Sequence, residues 1–224
     1  MDSSALTTKD LIAFYEGTGT DRRGRSLSQI LRWSAVNLER HHDYIQTVFP
    51  LPERSAIDWY APVIDSEVFE AFRSRSGLKD NLTDAFKKIL WFYGFELGTD
   101  AENKPIVKKG SNYQANPKVW NHRFDHNHLR ISRIIRSLRV LGLEDEAVAF
   151  YNALSANSTG SNSQSREFWR RAAFRSLNLR PDLEDVDDSD RSIGPKFLRD
   201  FEEERNLAAA DAEEEQEEDQ SESS

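Results

Sequence analysis

The chain has 224 residues and a formal charge of −9, but twelve Asp and Glu against Arg205 alone fall between Asp200 and Ser224. The acidity is therefore a property of the tail, and the residues up to Pro181 are mildly basic, a balance that tolerates an anionic partner without demanding one. With no cysteine, disulfides, thiolate catalysis and every Cys-based zinc or iron-sulfur site are excluded. The N-terminal stretch MDSSALTTKDLIAFYEG lacks the basic and apolar regions of a signal peptide, and no segment approaches roughly 18 apolar residues. The expectation is a protein of the cytosol, the nucleus or both, with no membrane span of its own and peripheral membrane association left open.

In chain order, Thr7 or Thr8 caps a short helix carrying Leu11, Ile12, Phe14 and Tyr15, which stops at the glycines of EGTGTD. DRRGRSL reads as a turn, and Ser26 or Ser28 opens a helix with Leu27, Ile30, Leu31 and Leu38. Trp33, Val36, Tyr44, Val48 and Phe49 are the large side chains that a helix can turn inward before Pro50 and Pro52 forbid its continuation. Asp65 or Ser66 caps the next helix, with Val68, Phe69 and Phe72 at helical spacing. From Asn81 to Tyr93, the residues Leu82, Phe86, Ile89, Leu90 and Tyr93 form a wide apolar stripe that ends at Gly94.

A long connection from Gly98 to Pro117 follows, in which Ile106 and Val107 make either a brief strand or nothing regular. His128 to Leu141 repeats the helical period with Ile131, Ile134, Ile135, Leu138 and Leu141, while Arg130, Arg133, Arg136 and Arg139 recur every third residue. Gly142 closes that helix. One further helix starts at Glu144, and another runs from Ser165 to Leu177 with Phe168, Ala172 and Leu177 inward and Trp169 available to a neighbour. Beyond Pro181 the chain turns acidic, and Ile193, Phe197, Leu198 and Phe201 form a short docking motif before a disordered end.

Chemistry-bearing groups cluster at two places. His41, His42, Asp43, Tyr44 and Gln46 lie at the helix exit, beside an apolar wall, which is what a small binding site requires and also what an ordinary helix end requires. His122, Asp125, His126 and His128 fall within seven residues, but no HExxH spacing accompanies them, so capping and hydrogen bonding are the simpler roles and no metal is expected. No Walker loop, GxSxG elbow or GxGxxG fingerprint is present. The arginine row at 130–139 and the turn holding Arg22, Arg23 and Arg25 are each read either as phosphate contacts or as solvated basic surface.

Three separated motifs carry a resemblance. LERHHDYIQTVFPL at 38–51, WFYGFEL at 91–97 and HNHLRISRIIRSLRVLGLE at 126–144 resemble the opioid growth factor receptor conserved region, shared by vertebrate receptors and by shorter bacterial and fungal proteins. DRRGRSLSQIL with Trp33 resembles the opening of the shorter members. Where the family commonly has Trp after Tyr-Ile-Gln, this chain has Thr47, and the acidic tail stands where the vertebrate receptors carry a long repeat region. The resemblance implies a soluble receptor domain, without seven membrane helices, that in vertebrates binds the pentapeptide met-enkephalin and acts at the nucleus; it brings no catalytic residues.

The sequence thus predicts an all-α protein: a single globular multi-helix domain over residues 5–180 and an acidic, largely disordered tail over 181–224. Its expected function is non-enzymatic, receptor-like binding of a peptide or protein through His42, Tyr44, Gln46, His126, Asn127, Arg130 and Arg133, with no cofactor. An Arg-rich helix that binds nucleic acid is the second reading, and a hydrolase built on the same His and Arg residues is the third. A fourth possibility makes both signatures mainly core, with Tyr44, Ile45, Phe49, Tyr93 and Ile134 packed together and His126 at a helix terminus.

Overall fold

The computed structural model describes residues 5–55, 58–116, 120–122 and 126–222. It divides into two compact units, Met1–Phe174 and Arg175–Ser224. The first contains α1 (Thr8–Tyr15), α2 (Leu27–Leu31), α3 (Ala35–Arg40), α4 (Tyr44–Val48), α5 (Ser66–Ser74), α6 (Ser76–Tyr93), the strands β1 (Phe95–Thr99) and β2 (Pro105–Lys109), then α7 (Asn127–Val140), α8 (Glu144–Asn157) and α9 (Ser163–Phe174). The second carries α10 (Lys196–Glu222). The chain is mostly helical, as its periodicities predict, with one small sheet added.

Helix starts follow the side chains that can cap them. Thr7 and Ser26 form reciprocal capping boxes with Asp10 and Gln29, and the Asp65 carboxylate accepts from the Val68 N–H. The helix expected to begin at Ser26 and continue past Leu38 is instead three short ones. Ser34 is the reason for one break: its hydroxyl accepts the Asn37 N–H and starts α3 afresh, the local competition that makes serine a better cap than a helix interior residue. Val36, expected inward, consequently faces solvent.

Helices of five or six residues are not stable alone. Here the terminal carbonyls of short and long helices alike are satisfied by side chains from far along the chain. Asn81 Nδ2 donates to the Tyr15 carbonyl at the end of α1 at 2.8 Å. The Tyr15 hydroxyl donates to the Val48 carbonyl at the end of α4, and burial pushes that phenol far above its ordinary pKa. Asn112 and Asn116 donate to the carbonyls of Trp91 and Phe92, and Trp120 Nε1 to that of Tyr93, at the end of α6. Arg73 donates to the carbonyls of Arg139 and Val140 at the end of α7. Tertiary structure thus supplies the ends that the local sequence leaves open.

The connection after α6 is an antiparallel hairpin pairing Phe95 with Lys109, Leu97 with Val107 and Thr99 with Pro105. Its turn is built by Asp100, whose carboxylate accepts the N–H groups of Glu102 and Lys104 at 2.9 Å, and by Asn103 at φ 63. Pro105 opens the strand, where its missing N–H is tolerated. Phe95 carries the hairpin into the core, with its ring 5.6 Å from that of Trp120.

Gly94 ends α6 at φ 90, and a Cβ there would meet the Tyr113 Cα at 3.0 Å. Gly94→Ala is therefore expected to cost about 1–3 kcal/mol, from left-handed strain and the forced shift of the 113–116 turn. Urea denaturation of the variant checks this; an unchanged midpoint would mean that the turn gives way freely.

The fully buried stripe of α6, Leu82, Phe86, Ile89, Leu90 and Tyr93, matches its predicted period. On α7, by contrast, Asn127, His128, Arg130, Arg136, Ser137 and Arg139 are buried along with the isoleucines. That helix is enclosed on nearly every side, as a helix at the centre of a helical layer is. On α9, which ends at Phe174, the inward ring is Trp169; Phe168 is only half-buried.

In the second unit, a loop is organised by two buried polar residues. Arg175 donates to the carbonyls of Arg180, Leu183 and Val186 and to the Asp188 carboxylate, and Asn178 donates to the carbonyls of Asp190 and Ile193. Buried Glu202 on α10 accepts from the Leu177 N–H at 2.7 Å. The acidic run expected to be disordered lies on α10, consistent with the high helix propensity of its Glu, Ala and Gln.

Candidate functional site

The residues at the helix exit and at the start of α7 do come together. Arg130 is buried, and its guanidinium donates to the carbonyls of Leu38 at 3.3 Å and His41 at 3.0 Å, to Asn127 Oδ1 at 3.2 Å and to His42 Nδ1 at 2.8 Å. It closes the end of α3 much as Arg73 closes the end of α7. Asn127, fully buried, also accepts from the Tyr93 hydroxyl at 3.3 Å and donates to Glu39, so it joins α6, α7 and α3. Tyr44 is buried, and its phenol is pushed well above its ordinary pKa by burial.

Arg133 donates to the Phe49 carbonyl at 3.2 Å, and burial pulls its pKa down to about 10, with Glu53 and Asp58 opposing. Gln46 is half-buried, with its Oε1 unpartnered among the described residues. Of the seven residues singled out, only His42 and His126 present rings to solvent. Their centroids are 5.2 Å apart, edge to face, and His126 Nε2 lies 3.2 Å from Glu39 Oε1.

The arginine row of α7 is not a solvated stripe. Three residues advance a helix by 300°, so the row drifts about 60° per step and meets a different segment each time. Arg130 reaches the end of α3 and Arg133 the end of α4, as above. Arg136 pairs with Glu53, and Arg139 donates to the Ala172 carbonyl on α9 at 3.1 Å. Glu39 and Glu53 are the partners that the sequence reading missed. Nothing local announces them, since each lies more than 80 residues from its arginine.

The turn at Arg22–Arg25 borders a polar cavity of about 420 Å³ that also takes in Asp21, Asp43, Thr47, Asp58 and Tyr60. Each arginine faces a carboxylate: Arg22 with Asp58, Arg23 with Asp43, Arg25 with both Asp21 and Asp43. Burial works to raise the Asp43 pKa, but the hydrogen bond and charge of Arg25 outweigh it and hold the carboxyl below its usual range. Three arginines matched by three aspartates leave no net field for an anion. Thr47 lines this cavity, at the position where the resemblance implies a larger tryptophan.

A second cavity, about 450 Å³, opens beside His126 and is lined by His128, Leu129, Asn162, Gln164, Ser165 and Phe168. Leu129 is 64% exposed and Phe168 half-buried, so an apolar wall faces several amide and hydroxyl groups. His128 Nε2 points at the Trp120 carbonyl at 2.8 Å and must carry the proton; its Nδ1 lies 2.8 Å from the Ser165 hydroxyl, which donates to it when the ring is neutral. Such a contact is one step from a nucleophile and base. The group behind the ring, however, is a carbonyl rather than the carboxylate that stabilises an imidazolium in acyl-transfer triads. Among the described residues no group of three His, Asp or Glu is arranged to hold a metal ion. Asp125 lies outside the described residues.

His42 carries a testable charge dependence. Burial, then the charges of Arg130 and His126, depress its pKa below 6.5, with Glu39 and Asp43 opposing. The folded protein thus binds this proton less readily than the unfolded chain, so the stability contributed is full above the unfolded value of 6.5 and is lost as pH falls through the lower folded value. Urea midpoints of the natural chain should fall more steeply from pH 7.5 to 5 than those of His42→Gln; parallel curves would sever the link to His42.

What fold and site define together is a helical, cavity-bearing module whose signature polar residues clamp its own backbone. Residues 26–165 match the model of the opioid growth factor receptor (OGFr) conserved region, and the chain belongs to that family. It is 39% identical over 108 residues to a mouse protein named opioid growth factor receptor, which covers 48% of this chain and 16% of that protein. The human protein of that name is 38% identical over 107 residues, covering 48% and 15%. A Xenopus tropicalis protein named opioid growth factor receptor-like protein 1 is 34% identical over 125 residues, covering 54% and 23%. The matched stretch is thus less than a quarter of these relatives' length. No solved structure matches the chain.

Proposed function

We propose that the chain is a non-enzymatic, receptor-like binding module whose ligand, a short peptide or an extended protein segment, is taken at the cavity beside His126. The observation that carries this reading is the union there of exposed Leu129 and half-buried Phe168 with Asn162, Gln164 and the His42–His126 rings, all but Phe168 within the part that the family shares. An apolar wall with a few convergent polar groups is the ordinary make-up of a ligand site. The family's receptor names support the class of function. In this reading Arg130, Arg133, Asn127 and Tyr44 shape the site from beneath, and His42, His126, Leu129 and Phe168 meet the ligand.

The test is a titration of the full chain with peptides that include met-enkephalin, read by amide chemical shifts. Leu129→Asp should weaken any binding peptide about tenfold or more, the loss of one well-buried apolar contact. A peptide that binds the natural chain and Leu129→Asp equally well would remove the cavity from the account.

A further inference from the structure

We propose that Ser189, in the second unit, is a phosphorylation site whose phosphate is received by Arg191 and Arg199 in the cavity that these residues share. The cavity, about 650 Å³, is lined by Ser189, Arg191, Lys196, Arg199, Asp200 and Glu203, with Asn206 and Leu207 at its edge. The Nε atoms of Arg191 and Arg199 are both buried with no acceptor among the described residues. Arg191 Nη1 donates to the Glu202 carbonyl at 2.9 Å and lies 4.0 Å from the buried Glu202 carboxylate, and Arg199 Nη1 reaches the Ser192 carbonyl at a long 3.4 Å. Two Nε–H groups without acceptors, on arginines that line an open volume, leave donors for an oxygen ligand to satisfy.

Ser189 is placed to meet it. The residue is exposed, and the backbone on either side is held, because Arg175 donates to the Val186 carbonyl at 3.1 Å and Asn178 to the Asp190 carbonyl at 2.7 Å. Its hydroxyl now donates to Asp187 at 2.6 Å. In the transfer, Ser189 Oγ forms a bond to the terminal phosphorus of a nucleoside triphosphate, the bond from that phosphorus to the diphosphate leaving group breaks, and the hydroxyl proton passes to the kinase's base. The hydrogen bond to Asp187 is lost and that carboxylate then repels the phosphate; Lys196, paired with Asp200 at 2.6 Å, adds a third cation. Asp187, Asp188 and Asp190 around the serine make it a substrate for an acid-directed serine kinase, whose own cationic site would read them.

The experiment uses the full chain, incubated with an acid-directed serine kinase and magnesium ATP. Mass spectrometry should place phosphate on Ser189, and the Nε–Hε resonances of Arg191 and Arg199 should move on phosphorylation, a readout that needs no variant. The phosphorus resonance should titrate about half a unit or more lower than in Arg199→Gln, because a nearby cation favours the dianion. Failure to modify Ser189, or modification that leaves both arginine resonances in place, would overturn the proposal. So would movement of the same resonances when inorganic phosphate alone is added to the unmodified chain at submillimolar level, since the cavity would then serve a free anion.

Discussion

Replacing Arg130 by alanine is expected to lower the unfolding free energy by about 3–5 kcal/mol, the range for removing one side of a buried charged network. Four acceptors lose the guanidinium at once: the carbonyls of Leu38 and His41, His42 Nδ1, and Asn127 Oδ1, which keeps the Tyr93 hydroxyl. The carbonyls close α3, a helix of six residues with no independent stability, so its last turn should fray in the variant. Lysine should restore only a small part, because one ammonium cannot reach four acceptors set around a planar fork. Urea denaturation of both variants decides this. A loss under about 1 kcal/mol would show that water replaces the guanidinium freely and that the clamp is incidental.

Arg136→Ala should cost a similar amount for a different reason. Its side chain is 2% exposed and that of its partner Glu53 12%, so truncating the arginine leaves a carboxylate uncompensated in a poorly solvated place. Replacing both, as Arg136→Met with Glu53→Leu, should bring stability back to within about 1 kcal/mol of the natural chain, since well-packed apolar groups commonly match a buried pair. The double-mutant cycle therefore separates the cost of an orphaned charge from the worth of the pair. If the double replacement is as unstable as the single one, Glu53 and Arg136 are doing something beyond neutralising each other, such as fixing the path of the 49–55 segment.

Elements governed by local rules were legible in the sequence. Leu82, Phe86, Ile89 and Leu90 recur at the helical period because one face of α6 is buried, and Thr7, Ser26, Asp65 and Gly94 act through neighbours within a few residues. The hairpin was half-legible. Ile106 and Val107 left a brief strand as one of two readings, and its partner is read only once Asp100 and Asn103 are seen to form a turn.

The arginine row marks where pattern reading fails. Spacing places Arg130, Arg133, Arg136 and Arg139 off the isoleucine face, and a charged row off the apolar face normally means solvent. What covers them is backbone from 38–49 and from Ala172 together with the Glu53 carboxylate, brought in by the fold and invisible at helical spacing. The binding residues proposed from the sequence were legible as a cluster for the same reason that they are not all accessible. Family signatures built on polar residues collect groups that hold a fold together, and Tyr44, Asn127 and Arg130 are such groups. Leu129 carried no signal because a single apolar residue on a helix surface is ordinary, and Phe168 was read as core because its spacing fits the inward face.

The central claim is that the α7 arginines are internal fasteners. It is tested most directly by recording the Nε–Hε resonances of Arg130, Arg133, Arg136 and Arg139 in the full chain, at low salt, before and after addition of a DNA duplex. Buried, hydrogen-bonded guanidinium groups should exchange slowly with water and stay in place as DNA is added. Fast exchange together with shifts that vanish in salt would put the row on the surface, give it to phosphates, and contradict the account.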